Sequence, residues 1–165
     1  MQQTIFYKSP VGILQLSATA DALTQLHFTT ETSAAMPLVS VAEQFPVLQQ
    51  TVAQLNHYFS GSNLHFNIPL QQQGTPFQQS VWQALLQIPA GSTMSYMQLS
   101  KRLGNTKAIR AVGTANGKNN IAIIVPCHRV IGSNGSLVGY AGGTWRKQWL
   151  LAHEAKYCSG VQTLF

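Results

Sequence analysis

Residues 64–76 read L-H-F-N-I-P-L-Q-Q-Q-G-T-P, and the chain changes character across them. Leu64 to Leu70 has the short apolar pattern of a strand. Gln71 to Pro76 is polar, with glycine and proline, and marks a domain boundary. Upstream, Ile5 to Tyr7, Gly12 to Leu16 and Leu23 to Phe28 are strand-like runs separated by Ser9-Pro10 and by Ser17 to Asp21. Thr29 to Pro37 reads as a loop. Val41 to Phe59 sets Val41, Phe45, Leu48, Val52, Leu55 and Phe59 at helical spacing, closed by Ser60-Gly61, with His57 beside that stripe as a packing histidine. Downstream the period turns helical: Phe77, Val81, Leu85 and Ile88 share a face, and Trp145 to Tyr157 forms a last helix with Trp149, Leu150 and Leu151 turned inward. The expected fold is α+β. A small antiparallel-sheet domain spans residues 1–74, and a mainly helical domain spans 75–165.

Between those helices, Ser95 is placed to cap Tyr96 to Leu103, Gly104 to stop it, and Asn105 to cap Thr106 to Ala115. Two short helices about Gly104-Asn105 form a helix-turn-helix candidate. The second carries Lys107 and Arg110 among Ala108, Ala111 and Gly113, while Lys101-Arg102 end the first. Small residues let a helix approach a nucleic-acid backbone and basic ones neutralise phosphates; the same small residues also suit plain helix packing. Charge favours the first reading. The net charge is +6, yet residues 1–92 carry −2 and residues 93–165 carry +8, with Glu154 the one acid of the latter. An anionic partner, nucleic acid first, is expected.

No apolar stretch is long enough to span a bilayer, and the N-terminus lacks the pattern of a secretion signal, so a cytoplasmic protein is expected. Cys127 and Cys158 are the two cysteines, expected as free thiols, with Cys158 in a loose tail. The five histidines lack the close Cys/His grouping of a zinc site, and the glycine-rich stretch 131–143 lacks the spacing of a phosphate-binding loop. No metal and no cofactor is expected.

The chemistry centres on residues 121–131, I-A-I-I-V-P-C-H-R-V-I. The apolar run reads as buried strand, halted by Pro126, with Cys127 and His128 directly after it. A cysteine in such a run can be packed and inert; the proline before it and His128-Arg129 after it favour a nucleophile. A thiolate needs a base or a cation nearby, and the base needs an orienting carboxylate. Within the basic half only Glu154 is available, so Cys127, His128 and Glu154 form the one complete thiol–imidazole–carboxylate set if His128 is the base.

These residues resemble the O6-alkylguanine-DNA alkyltransferases. The resemblance centres on Pro126, Cys127, His128, Arg129 and Val130. It takes in Phe77-Gln78, Val81-Trp82, Ile88-Pro89 with Gly91, Ser95-Tyr96 with Leu99, Arg110 to Gly113, Asn119, Gly139-Tyr140, Gly142-Gly143, Leu150-Leu151 and His153-Glu154, and so covers nearly all of residues 75–154. The first domain agrees in length and strand-rich character, and the family implies a ribonuclease H-like fold there.

The resemblance implies direct-reversal DNA repair, in which a flipped base gives up its O6-alkyl group irreversibly to Cys127. O4-alkylthymine is implied as a further substrate. His128 would deprotonate the thiol through a water, Glu154 would orient His128, Asn119 would support the turn, and Tyr96 would protonate the departing guanine. Arg110 would fill the stack left by the base, beside Ala108, Ala111 and Gly113 and the basic residues Lys101, Arg102, Lys107 and Arg129, on the minor groove of double-stranded DNA. Val138, Tyr140, Ala141 and Gly142 would shape the pocket of a stand-alone monomer. Asn120 stands where the family usually has proline, Ala141 where some members have serine, and Trp145 is bulkier than expected. The alternatives are a non-catalytic binder of alkylated DNA, against which Cys127 speaks, and a cysteine hydrolase, which leaves the basic helix pair without a purpose.

Overall fold

A computed structural model describes residues 1–29, 40–137 and 139–162. It divides into two compact units, Met1–Gln72 and Gln73–Phe165. The expected loop at 29–37 lies almost wholly outside the described residues. Among the described residues no helix is long and apolar enough to cross a membrane.

In the first unit β1 (Gln3–Ser9), β2 (Gly12–Ala18) and β3 (Leu23–Thr29) form an antiparallel meander, with Ile5 opposite Leu16 and Leu16 opposite Leu26. Ile5, Leu14, Leu16 and Leu26 are buried on one face, as period-two patterning requires, and the register shift at Ser17/Ala18 brings Leu23, the partner of Ala18, to the buried side as well. Ser9 closes the first hairpin, accepting from Val11 N and donating to the Gly12 carbonyl. The helix expected over 41–59 is broken. Val41–Glu43 is one 3-10 turn, and α1 (Pro46–Ser60) begins at a proline whose missing N–H costs nothing in the first turn. Gln3 Oε1 accepts from Phe45 N at 2.8 Å and ties the helix start to β1. Leu48, Leu55 and Tyr58 are buried, and Gly61, at φ 82°, ends the helix. His57 is exposed, its Nδ1 against Ser62 Oγ at 2.9 Å, rather than packed. Leu64 to Leu70 is not a strand: Leu70 makes a single parallel bridge to Leu23, and the preceding residues run without a ladder.

The second unit holds α2 (Pro76–Leu85), β4 (Met94–Ser95), α3 (Tyr96–Arg102), α4 (Ile109–Gly117), β5 (Val130–Ile131) and α5 (Thr144–Gln162). Thr75 with Gln78 and Ser95 with Gln98 each close a reciprocal capping box, so α2 and α3 start where their orphan N–H groups find partners. Asn105 Oδ1 accepts from Lys107 N, as a turn rather than a helix cap, and α4 starts later than expected, at Ile109. Val81, Trp82 and Leu85 bury the inner face of α2, and Trp82 Nε1 donates to the Ala115 carbonyl of α4 at 3.0 Å. β4 and β5 pair in parallel for two residues and bring the start of α3 beside the residues that follow Cys127.

Candidate active site

The run 121–125 is buried as expected but is not a strand. Ile121 to Val125 coils through turns, and Ile123 sits at φ +70°, a left-handed conformation that a β-branched residue adopts only under constraint. Cys127–Arg129 then forms a single 3-10 turn. In extended backbone the adjacent Cys127 and His128 side chains would point to opposite faces, a restriction this turn does not impose.

Asn119 supplies the constraint. Its Nδ2 lies 2.8 Å from the Val125 carbonyl, 3.1 Å from the Ile121 carbonyl and 3.3 Å from Cys127 Sγ, while Oδ1 accepts from Ile121 N. One side chain thus closes the turn and touches the sulfur. Asn116 of α4 reaches the Cys127 carbonyl at 3.4 Å.

Glu154 comes to the turn from α5. His128 Nε2 meets Glu154 Oε2 at 2.7 Å, and both residues are fully buried. Arg129 donates from Nε to Oε1 at 2.8 Å and from Nη2 to Oε2 at 2.9 Å, and its Nη1 donates to the Ile88 carbonyl at 2.6 Å. Burial opposes ionisation of Glu154, but the His128 and Arg129 contacts prevail and hold its carboxyl well below the usual carboxylate range. An ionised Glu154 accepts only, so Nε2 carries the imidazole proton and Nδ1 presents its lone pair. That Nδ1 is buried and has no hydrogen-bond partner among the described residues. Burial lowers the pKa of His128 despite Glu154, so the ring rests neutral and able to accept a proton.

Cys127 is 7% exposed. Burial pushes the Cys127 thiol up, against the Asn119 hydrogen bond and the charge of Lys147, which pull it down. The resting side chain is therefore a thiol. Tyr96 and Tyr140 lie near it; burial raises both hydroxyls, an ionised sulfur would raise them further, and the Asn116 hydrogen bond pulls Tyr96 down. Gly139 has φ +87°, and a Cβ there would lie 3.4 Å from Tyr96 Oη, so the loop closes on Tyr96 where only glycine fits without strain.

The structure brings together Cys127, His128, Glu154, Asn119, Tyr96 and Tyr140. Gly142 is buried and Ala141 exposed nearby in sequence, and Val138 lies outside the described residues. Lys101, Arg102, Lys107, Arg110 and Ala111 are exposed on α3, α4 and the turn between them, with Ala108 and Gly113 half-buried. Arg129 departs from expectation: it is buried, and its guanidinium is engaged with Glu154 and Ile88, so it serves the site's electrostatics and not a DNA-facing surface. Cys158 also departs: it lies within α5 and donates to the Ala90 carbonyl at 3.3 Å. Sequence reasoning missed Lys147, which is fully buried; its place seven residues before Glu154 on one helix was the available signal.

Two family descriptions match, and together they account for most of the chain. Residues 76–156 match "6-O-methylguanine DNA methyltransferase, DNA binding domain", and residues 4–72 match its "ribonuclease-like domain". The chain belongs to this family. It is 44% identical over 157 residues to the methylated-DNA--protein-cysteine methyltransferase of Mycolicibacterium paratuberculosis, covering 95% of this chain and 94% of that one. The crystal structure of the Mycobacterium tuberculosis O6-methylguanine methyltransferase aligns with a TM-score of 0.83 at 44% identity, covering 95% and 94% of the two chains. The structure of Mycobacterium tuberculosis OGT in complex with DNA aligns at 0.81 and 45%, covering 94% and 93%.

Proposed function

We propose that this methyltransferase-family chain repairs alkylated DNA by direct reversal, taking the alkyl group from O6 of guanine, and from O4 of thymine, onto Cys127. One observation carries the assignment of roles. A buried thiol, hydrogen-bonded by Asn119, adjoins an imidazole whose free lone pair Glu154 dictates. The thiol proton passes through a water to His128 Nδ1. The thiolate attacks the alkyl carbon as the carbon–O6 bond breaks, its electron pair stays on the guanine, and Tyr96 supplies the proton that the base takes up. The product is a thioether, which water does not cleave, so each molecule acts once.

A base inside a duplex cannot reach a buried sulfur, so it must be extruded at a cost of a few kcal/mol. Arg110, exposed on α4, occupies the vacated stack. Lys101, Arg102 and Lys107 neutralise phosphates, and Ala108, Ala111 and Gly113 keep the helix face low enough for the minor groove, whose degenerate edges suit a search for damage rather than for sequence. Tyr140, Gly142 and Ala141 form the pocket. The protein works as a monomer in the cytoplasm.

The test is incubation with duplex DNA containing O6-methylguanine, followed by intact and peptide mass analysis. One methyl on Cys127 and no second turnover is the expected result; transfer that survives C127S unchanged overturns the reading.

A further inference from the structure

We infer that Arg146 is a positioning residue that sets the size of the alkyl pocket: stacked on Trp145, its guanidinium tethers the turn that carries Tyr140, Ala141 and Gly142. The inference rests on transfer to Cys127 and on that turn lining the pocket.

Residues 139–146 read G-Y-A-G-G-T-W-R, with three glycines in the first five. Gly139 and Gly143 adopt positive φ, +87° and +90°. So glycine-rich a segment has many accessible conformations and keeps one only when it is held from outside. Gly143 N donates to the Tyr140 carbonyl at 3.0 Å and closes a turn, and Lys147 N donates to the Gly143 carbonyl at 3.2 Å and joins that turn to α5. A further tie is made by a side chain. Arg146 Nη1 donates to the Gly142 carbonyl at 2.9 Å. Gly142 is buried, and a buried carbonyl left without a donor is costly.

Trp145 fixes the arginine. The guanidinium carbon of Arg146 lies 4.6 Å from the centre of the Trp145 ring, within cation–π range. The indole edge also runs along the turn, since a Cβ at Gly143 would meet Trp145 Cδ1 at 3.7 Å. The half-buried Arg146 is thus covered by a side chain that is itself 53% exposed. Stacking restricts a flexible side chain to the geometry that reaches Gly142.

The other end of the loop is set by contact. A Cβ at Gly139 would lie 3.4 Å from Tyr96 Oη, so this end already stands against the start of α3. The room for an alkyl group therefore depends on how far Tyr140 to Gly142 can swing outward, and the Arg146 tether limits that swing. Transfer of a small methyl group depends on its being held in line with the sulfur. A benzyl group needs the space that a released turn provides. Loosening the tether therefore costs methyl transfer more than benzyl transfer, whereas a general loss of stability slows both alike.

The test measures single-turnover transfer from O6-methylguanine and from O6-benzylguanine, each placed in the same duplex. In R146M the methyl-to-benzyl rate ratio falls about tenfold, within the range that small steric differences in a pocket produce. W145A lowers the ratio by about threefold, and W145F, which keeps a ring face for the guanidinium, retains it. An unchanged ratio in R146M overturns the inference, whether both rates fall together or neither moves. If R146M does not fold, W145A, a change at an exposed position, decides the question in the same way. In the absence of DNA, the Gly143 amide exchanges with solvent about tenfold faster in R146M, while amides of the β1–β3 sheet exchange as in the parent. Equal exchange at Gly143 in the two proteins also overturns the inference. A parent that transfers neither group to Cys127 removes the proposed function and this inference with it; an active parent with an unmoved ratio in R146M removes this inference alone.

Discussion

Glu154 Oε2 receives His128 Nε2 at 2.7 Å, and this contact decides which nitrogen of the ring can take a proton. The same carboxylate binds Arg129 through both oxygens, so one buried anion orients the base and compensates a buried cation. Replacing it with Glu154→Gln keeps the shape and removes the charge. Breaking a buried pair from one side costs about 3–5 kcal/mol, so E154Q should lower the denaturant midpoint sharply and lose transfer activity. A variant as stable as the parent would show that the pair is not the site's electrostatic anchor.

Stability should also fall as the solution is acidified. His128 has a folded pKa below the ordinary value of about 6.5, so in that window the unfolded chain binds more protons and stability is lost as pH falls. Glu154 is depressed likewise, and its contribution, complete above about pH 4.3, is lost as pH drops through its folded value. Denaturant unfolding between pH 8 and pH 4, at roughly constant ionic strength, should show a decline beginning near pH 6.5 that His128→Asn removes.

Asn119 joins the turn to the sulfur through one amide nitrogen. Asn119→Ala leaves buried carbonyls unpaired, at about 1–3 kcal/mol, and takes away a hydrogen bond that favours the thiolate. Both a lower unfolding midpoint and an upward shift of Cys127 ionisation are expected. A loss of stability with an unmoved thiol titration would separate the two roles.

Arg110→Ala tests extrusion apart from chemistry. Transfer from duplex DNA should fall about tenfold to a hundredfold, reflecting roughly 1.4–2.8 kcal/mol of a flipping cost of a few kcal/mol. Reaction with a free O6-alkylguanine base, already out of any stack, should be unchanged within about twofold. Lys107→Ala should weaken binding uniformly across sequences and reduce the salt slope by about 0.9.

Gly139→Ala places a Cβ 3.4 Å from Tyr96 Oη at φ +87°. Left-handed backbone costs a residue with a side chain about 1–2 kcal/mol, so the loop should shift away from Tyr96. Slower transfer from O6-methylguanine at nearly unchanged DNA affinity is the expected signature.

How much of this was legible in the residues depended on what kind of constraint set each part. The strands of the meander and the cap at Ser95 are local, read from alternation and from a side chain meeting its own third neighbour, and they formed as patterned. The run 121–125 misled because an apolar stretch records burial, not conformation; what bends it is Asn119, whose amide takes the carbonyls a ladder would have used. Leu64 to Leu70 misled in the same way, since a strand needs a partner edge and, among the described residues, Leu23 alone bridges to it. At the site, Cys127, His128 and Glu154 were legible because so few acids compete in that half. Arg129 was not, because a basic residue beside a reactive thiol looks identical in sequence whether it faces phosphate or a buried carboxylate. Lys147 was hidden among surface-like charges, its burial set by how α5 lies on the 127–129 turn.

Cys127 is 7% exposed and rests as a thiol, with its ionisation suppressed by burial. Oxidants and stray electrophiles in the surrounding solution react with accessible thiolates, and this side chain offers them neither access nor charge. A molecule that can be spent only once has to keep, and the closed turn around Cys127 gives the unspent protein its shelf life.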